Sequence, residues 1–418
     1  MNIKKSIDEM CNRALSSRLH IGDYNIRKKN AMLRNLCQLI TKYQADIITR
    51  NQKDLIIAKK KKLSESFIDR MTLTPERVES MVNCIKHIVK LPDPLYKKTK
   101  AIKLENGIHL SQMRVPLGTI AIVYESRPNV TIDAACLCLK SGNSVILKGG
   151  SDTLNTNQYL VDLIKHALKK EGMSEDLVQL VKTTNRDALR YLLKKRDHID
   201  VVIPRGGKSL IEMIMQESKI PMIKHLDGNC HVFIDRKADH KIAFDVSLNS
   251  KIQRLGVCNA IETLLIHEKY SVKKLKEILS ALSDAGIELR GCKKINKIFS
   301  KSKQAKESDW YREYLGPILA VKIVESLDDA ISHITKYGSM HTDAIISKDK
   351  DSINRFMQNV DSSSVMINTS TRFADGFEYG FGAEIGISTD KLHARGPVGL
   401  IGLTNQKYIV TSKGKTRQ

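Results

Sequence analysis

From Gly118 onward, short apolar runs alternate with longer stretches of helical periodicity, and no other feature restricts the fold as much. Runs 118–125, 143–150, 176–183 and 198–207 read as strands. Helical segments 131–142, 155–172, 187–195 and 208–218 fall between and after them, the first ended by Gly142. Segments 219–225 and 230–235 complete this run. A second run begins near Ala238, with helices over 243–256, 272–286, 326–338 and 351–359 and strands over 262–267, 318–324, 342–347 and 363–368. Strands that each feed a helix form parallel sheets covered on both faces, because a parallel pair needs a long crossover. The expected fold is therefore α/β, and ligands of such sheets sit at strand-to-helix loops on the carboxyl edge.

What precedes is different. Residues 1 to about 90 are helical in texture: between Asn30 and Ala58, Leu33, Leu36, Cys37, Ile40, Ile47 and Ile48 make an apolar stripe. Thr74 before Pro75 and Glu76 is a helix start. These helices read as a packing layer. The prolines at 92 and 94 end the pattern, and the turn Asn106-Gly107 between alternating segments signals a hairpin suited to pairing with a second subunit. The expected organisation is a first domain over 1–95 and 114–236, a second over 237–390, and oligomerisation elements over 96–113 and 400–418.

The chain has 418 residues, which suggests two or three lobes, and 41% hydrophobic residues, enough for real cores. No apolar run approaches the roughly 18 residues of a membrane span. The first residues, MNIKKSIDEMCNRALSS, hold no apolar export segment, so a cytoplasmic location is expected. The net charge is +23, but the lysines are dispersed and aromatics are only 5%. A solvated basic surface fits that pattern better than a nucleic-acid interface, so no nucleic-acid partner is expected, though the field can attract an anionic substrate. The eight cysteines form no CxxC pair and no Cys/His spacing of a zinc site, so neither disulfides nor a metal are expected.

Two strands end in glycine pairs, Gly149-Gly150 and Gly206-Gly207, where bare backbone before a helix can approach an anion. Neither forms a GxGxxG or Walker loop. Cys258 lies between a helix and an apolar strand, beside Gly256 and Asn259. A thiolate there would be a strong nucleophile, although a buried structural cysteine is the commoner outcome for such a residue taken alone.

The order of segments decides between them. VPLGTIAIVYESRPNVTIDAACLCLKSGNSVILKGG, VIPRGG, HLDGNCHVFID, QRLGVCNAIETLLIH and DSSSVMINTSTRFADGFEYGFGAEIGISTDKLHARGPVGL together resemble the aldehyde dehydrogenase superfamily, and within it the branch that reduces gamma-glutamyl phosphate. The stretch holding His333, His341, Thr342 and Asp343 is similar to that branch's signature. The resemblance implies two Rossmann-like parallel-sheet domains with a small oligomerisation hairpin. It makes Cys258 the catalytic thiol and Asn129 its oxyanion donor. It gives Lys148 and Gly149 to the cofactor's adenosine ribose side, Arg205, Gly206 and Gly207 to its pyrophosphate, and Glu313 to the nicotinamide ribose. Many relatives carry Glu-Leu-Gly-Gly, whose Glu activates water; here His225-Leu226-Asp227-Gly228 stands in its place.

That substitution suits an enzyme that must not hydrolyse its thioester. The implied reaction is NADPH-dependent reduction of gamma-glutamyl phosphate to glutamate 5-semialdehyde and phosphate through a cysteinyl thioester. A functional link to glutamate 5-kinase and a homo-oligomeric state are implied with it. Arg127, Lys251, Arg254 and Arg372 are the candidate cations for the substrate's phosphate and carboxylates. A thiol dehydrogenase of the superfamily acting on another aldehyde or acyl phosphate is the alternative.

Overall fold

A computed structural model describes residues 3–18 and 21–417. The chain divides into two compact units: Met1–Lys224 with Gly380–Gly386 and Val398–Gln418, and His225–Tyr379 with Ile387–Pro397.

The first unit begins with helices, as expected. The stripe over 30–58 is shared by two of them, Ile26–Lys42 and Gln44–Lys60, broken at Tyr43. Thr74 caps the helix Pro75–Lys90, its side chain accepting from the Arg77 N–H, with Pro75 in the first turn. The hairpin follows as β1 (Ile102–Lys103) and β2 (His109–Pro116), turned through Gly107 at φ +80°. The C-terminal strand Thr404–Thr411 pairs antiparallel with the whole of β2, so the two segments expected to serve oligomerisation form one three-stranded sheet.

The unit's parallel sheet contains β3 (Thr119–Tyr124), β4 (Ser144–Lys148), β5 (Val178–Leu180) and β6 (Val201–Arg205), in the order β5-β4-β3-β6. Side chains alternate across it. Ala121, Val123, Ile146 and Val202 join a core with Met10 and Ala14 of the first helix, while Ile120, Ile122, Val145 and Leu147 are buried on the opposite face. Both faces are covered, so the strands read as continuous apolar runs. Chain order departs from β3 in both directions, to β4 and to β6. That makes the β3/β6 boundary a topological switch point, the place on the carboxyl edge where such sheets bind ligands.

The second unit has seven parallel strands: β7 (Cys230–Ile234), β8 (Ile261–His267), β9 (Glu288–Gly291), β10 (Lys303–Gln304), β11 (Ile318–Val324), β12 (Thr342–Ile346) and β13 (Ser364–Ile367), ordered β10-β9-β11-β8-β7-β12-β13. Val232, Leu264, Ile266 and Ala344 pack on one face with Leu275 and Leu279. Phe233, Leu265 and Ile345 pack on the other with Ile334 and Phe356.

Two expectations shift. The strand Cys230–Ile234, read as closing the first run, pairs with β8 and β12 in the second sheet, so the change of unit falls after Lys224 and not at 236. Strands of both sheets have the same apolar texture, and nothing in the intervening loop marks the change. Segment 219–225 makes only an isolated bridge, Val202 to Met222. No described helix is long and apolar enough to cross a membrane.

Gly142 ends the helix Pro128–Lys140 at φ +77°, where an added Cβ would lie 2.6 Å from Leu95 Cδ1 and 2.9 Å from Pro116 Cγ. Gly142→Ala should cost about 1–3 kcal/mol through the left-handed backbone and this crowding. Urea unfolding checks it: the midpoint should fall with the slope unchanged.

Candidate active site

Cys258 occupies a helix-to-strand loop and so lies at the amino edge of the second sheet, opposite to the carboxyl edge where such folds usually bind ligands. The loop runs from the helix His240–Ile252 into β8. Its two ends are tied together by Lys251 and Glu262, 2.6 Å apart and wholly buried. Burial raises the Glu262 carboxyl to about 7 and lowers the Lys251 ammonium, each opposed by the partner's charge. Glu262 Oε1 also accepts the Leu315 N–H, at 3.0 Å. Lys251 is thereby committed to a structural pair, which removes it from the cations open to a substrate.

The loop itself is held from below by Gly228. A Cβ there would lie 1.9 Å from the Cys258 carbonyl oxygen, so only glycine lets the chain before β7 pass beneath the thiol loop. The Gly228 N–H donates to Glu313 Oε1 at 2.9 Å. Cys230, next in that chain and buried, donates its Sγ–H to the Cys258 carbonyl at 3.2 Å. Burial keeps the Cys230 thiol well above its ordinary range and hence protonated. Cys258 is half-buried and unpaired in any disulfide.

Two imidazoles accompany it. Ligating atoms of His225, Cys258 and His341 all lie within 4.8 Å of one another. His225 Nδ1 is 2.9 Å from the Ile387 carbonyl oxygen, so that nitrogen is a donor and the ring's orientation is fixed. His341 is fully buried, with Nδ1 2.8 Å from Thr342 Oγ1. Asp343 holds the buried His231, accepting from its backbone N–H and bonding its Nδ1, both at 2.8 Å. Burial pushes His333 down to about 2, so it is neutral.

Arg372 reaches the loop from the segment after β13. Its Nε donates to Gln253 Oε1 at 2.8 Å and its Nη1 to Asn259 Oδ1, residues that flank Cys258 on either side. Burial lowers its pKa, and the like charge of Arg254 adds to that. Arg254 stands exposed on the same loop.

The first unit carries the other candidates at its carboxyl edge. Lys148 ends β4; its Nζ donates to the Gly149 carbonyl at 2.9 Å, and burial lowers its pKa. An added Cβ on Gly149 would meet Asn157 at 2.3 Å and the Tyr124 ring at 3.0 Å, and one on Gly206 would meet Leu210 at 2.7 Å and Glu125 at 2.8 Å. Part of the demand for glycine is therefore internal packing. Arg205 ends β6, and Gly207 precedes the helix Lys208–Glu217. Its N–H donates to Glu125 Oε1 at 2.9 Å, so a carboxylate stands where a helix N-terminus would take a ligand's phosphate. A dinucleotide fits this edge: a topological switch point, a helix start whose backbone N–H already holds a carboxylate, and a lysine at the end of β4. Arg127 and Asn129 lie exposed at the start of the helix Pro128–Lys140, and Asn129 Nδ2 donates to Asp133 Oδ2 at 3.3 Å.

The sequence reading did not single out Glu125, Cys230 or Glu262. His341 was noticed only as part of a signature, and its place before an apolar strand was the available clue.

The model of the aldehyde dehydrogenase family matches residues 3–289 and 297–383. The chain is 45% identical to a gamma-glutamyl phosphate reductase of Thermodesulfovibrio yellowstonii over 418 residues, 100% of each chain. It is similar to the crystal structure of the Thermotoga maritima gamma-glutamyl phosphate reductase (TM-score 0.96, 38% identity), covering 99% of this chain and 100% of that one. The Saccharomyces cerevisiae enzyme of the same name aligns with TM-score 0.55 and 30% identity over 99% of both chains.

Lys251→Met should leave Glu262 buried without a counter-charge and cost about 3–5 kcal/mol. Adding Glu262→Leu should recover much of that in thermal unfolding, whereas a substrate-binding Lys251 would raise KM with stability unchanged. Gly228→Ala should displace the Cys258 backbone and lower kcat/KM roughly 100-fold, with far-ultraviolet circular dichroism retained.

Proposed function

The chain belongs to the aldehyde dehydrogenase family, and within it we propose that it reduces gamma-glutamyl phosphate to glutamate 5-semialdehyde and phosphate, the step of proline synthesis from glutamate that follows phosphorylation. One observation carries this reading. The thiol of Cys258 stands beside two imidazoles with no carboxylate in that group, in a chain alike over its whole length to reductases of that name.

The Cys258 thiolate attacks the acyl carbon, the bond to phosphate breaks, and a thioester remains. His225 or His341, each with a ring nitrogen within 4.8 Å of the Cys258 sulfur, takes the thiol proton. A nicotinamide cofactor, NADPH in this reading, would supply hydride to the thioester carbon when bound. Collapse of the resulting thiohemiacetal at Cys258 frees the aldehyde and returns the thiolate. Throughout, negative charge develops on the acyl oxygen, and the Asn129 amide with the Cys258 backbone N–H is the donor pair assigned to it. No glutamate replaces His225 to activate water, so the thioester survives until hydride arrives.

Arg372 is the best-supported cation for the substrate's phosphate or carboxylates, because Gln253 and Asn259 fix its guanidinium on the thiol loop. Arg254 and Arg127 are the other candidates. Lys148, Gly149, Arg205, Gly206 and Gly207 are assigned to the cofactor's ribose and phosphates, and Glu313 to the nicotinamide ribose. An acyl phosphate is short-lived in water, which favours direct supply by a glutamate 5-kinase. The strand Thr404–Thr411 displays exposed Tyr408 and Val410, which supports its use in a homo-oligomer.

The assay runs in reverse: oxidation of glutamate 5-semialdehyde with NADP should depend on inorganic phosphate. Equal rates without phosphate would mean a different member of the superfamily. Cys258→Ala should reduce the rate to background, and Asn129→Ala should lower kcat about 100- to 1,000-fold.

A further inference from the structure

We propose that His225, Cys258 and His341 form a binding site for a soft divalent cation, with Zn2+ the best fit, and that the cation inhibits by capturing the thiolate. The inhibition rests on Cys258 being the acyl carrier; the site does not. The juxtaposition is the first support, since one ligating atom from each side chain lies within 4.8 Å of the other two. Zn–S of about 2.3 Å and Zn–N of about 2.0–2.1 Å in a tetrahedron place ligand atoms roughly 3.5 Å apart. Side-chain movements of about an ångström close that difference.

Outer hydrogen bonds are the second support. A metal-ligating imidazole is oriented by what its other nitrogen touches. His225 Nδ1 is held by the Ile387 carbonyl at 2.9 Å, so Nε2 is the nitrogen that would ligate a metal. His341 Nδ1 is held 2.8 Å from Thr342 Oγ1. Below them Cys230, 3.7 Å from His341 Nδ1 by its sulfur, spends its proton on the Cys258 carbonyl and stays a thiol.

Donor chemistry is the third. One sulfur and two imidazole nitrogens select zinc-like cations over magnesium or calcium, which want oxygen. Three protein ligands leave a fourth position for water. Cys258 and His225 are partly exposed while His341 is buried, so a cation has an approach from solvent and a rigid floor. On binding, the Cys258 proton passes to solvent and the sulfur lone pair is committed to the metal. The thiolate then cannot attack an acyl phosphate, and an acylated Cys258 cannot bind the metal.

Equilibrium dialysis of the full-length protein against Zn2+, with metal analysis, tests the site. One zinc per chain is expected, with activity falling in step with occupancy and returning on chelation. His341→Ala and His225→Gln should each weaken binding at least 10- to 100-fold. Co2+ should give a thiolate charge-transfer band with wild-type protein and none with Cys258→Ser. Should a variant not fold, wild-type protein alone decides: Zn2+ must slow iodoacetamide labelling of Cys258, and prior labelling must abolish zinc binding. Zinc bound equally well after labelling, or no binding while Cys258-dependent activity is normal, overturns the site and leaves the enzyme reading intact. Zinc bound through Cys258 with full activity overturns the inhibition and the acyl-carrier role together.

Discussion

Lys251 and Glu262, 2.6 Å apart and out of contact with water, bracket the loop that carries Cys258, one at the helix that enters it and one on the strand that leaves it. Two buried charges are costly to desolvate, so their worth lies less in net stability than in permitting one arrangement. Any shift of the helix end relative to β8 would strip a charge of its partner. The same carboxylate takes the Leu315 N–H, two residues beyond Glu313. Glu313 in turn fixes Gly228, over which the Cys258 backbone lies. Thiol loop, glycine chain and glutamate loop are thus registered to a single ion pair.

How much of this was legible depends on whether a feature is local. Strands covered on both faces announce themselves as apolar runs, and Val232, Leu264 and Ile345 are where such runs place them. The cap at Thr74 and the turn at Gly107 are set within a few residues, and both were readable. The membership of β7 was not, because pairing partners are chosen across hundreds of residues by surfaces that look alike in sequence. The short strands β9 and β10 escaped for another reason: Glu288, Arg290 and Lys303 are polar, and their strand character comes from ladder bonds and ion pairs among themselves.

The site divides in the same way. Cys258 is singled out as the candidate thiol by the order of motifs along the chain, not by its own neighbours. Arg372 was named as a cation, and its tie to the thiol loop through Gln253 and Asn259 needed the fold. Lys251 pairs with buried Glu262, and a lysine beside a motif looks the same in sequence whether it faces substrate or a buried glutamate. His225 was seen as a missing glutamate, while its meeting with His341 at the thiol depends on β7, β8 and β12 lying side by side.

The thiol's position at the amino edge of its sheet has an electrostatic consequence. Helices in such a fold run against the strands, so at this edge they arrive by their carboxyl ends, which carry partial negative charge. At the opposite edge, backbone N–H groups favour anions whatever the side chains are. Around Cys258, by contrast, positive charge has to come from residues such as Arg372 and Arg254. Backbone charge is inherited with the fold and is almost immune to mutation, whereas side-chain charge can be changed one codon at a time. The anion tolerance of this edge is therefore an evolvable property, open to adjustment without any change in architecture.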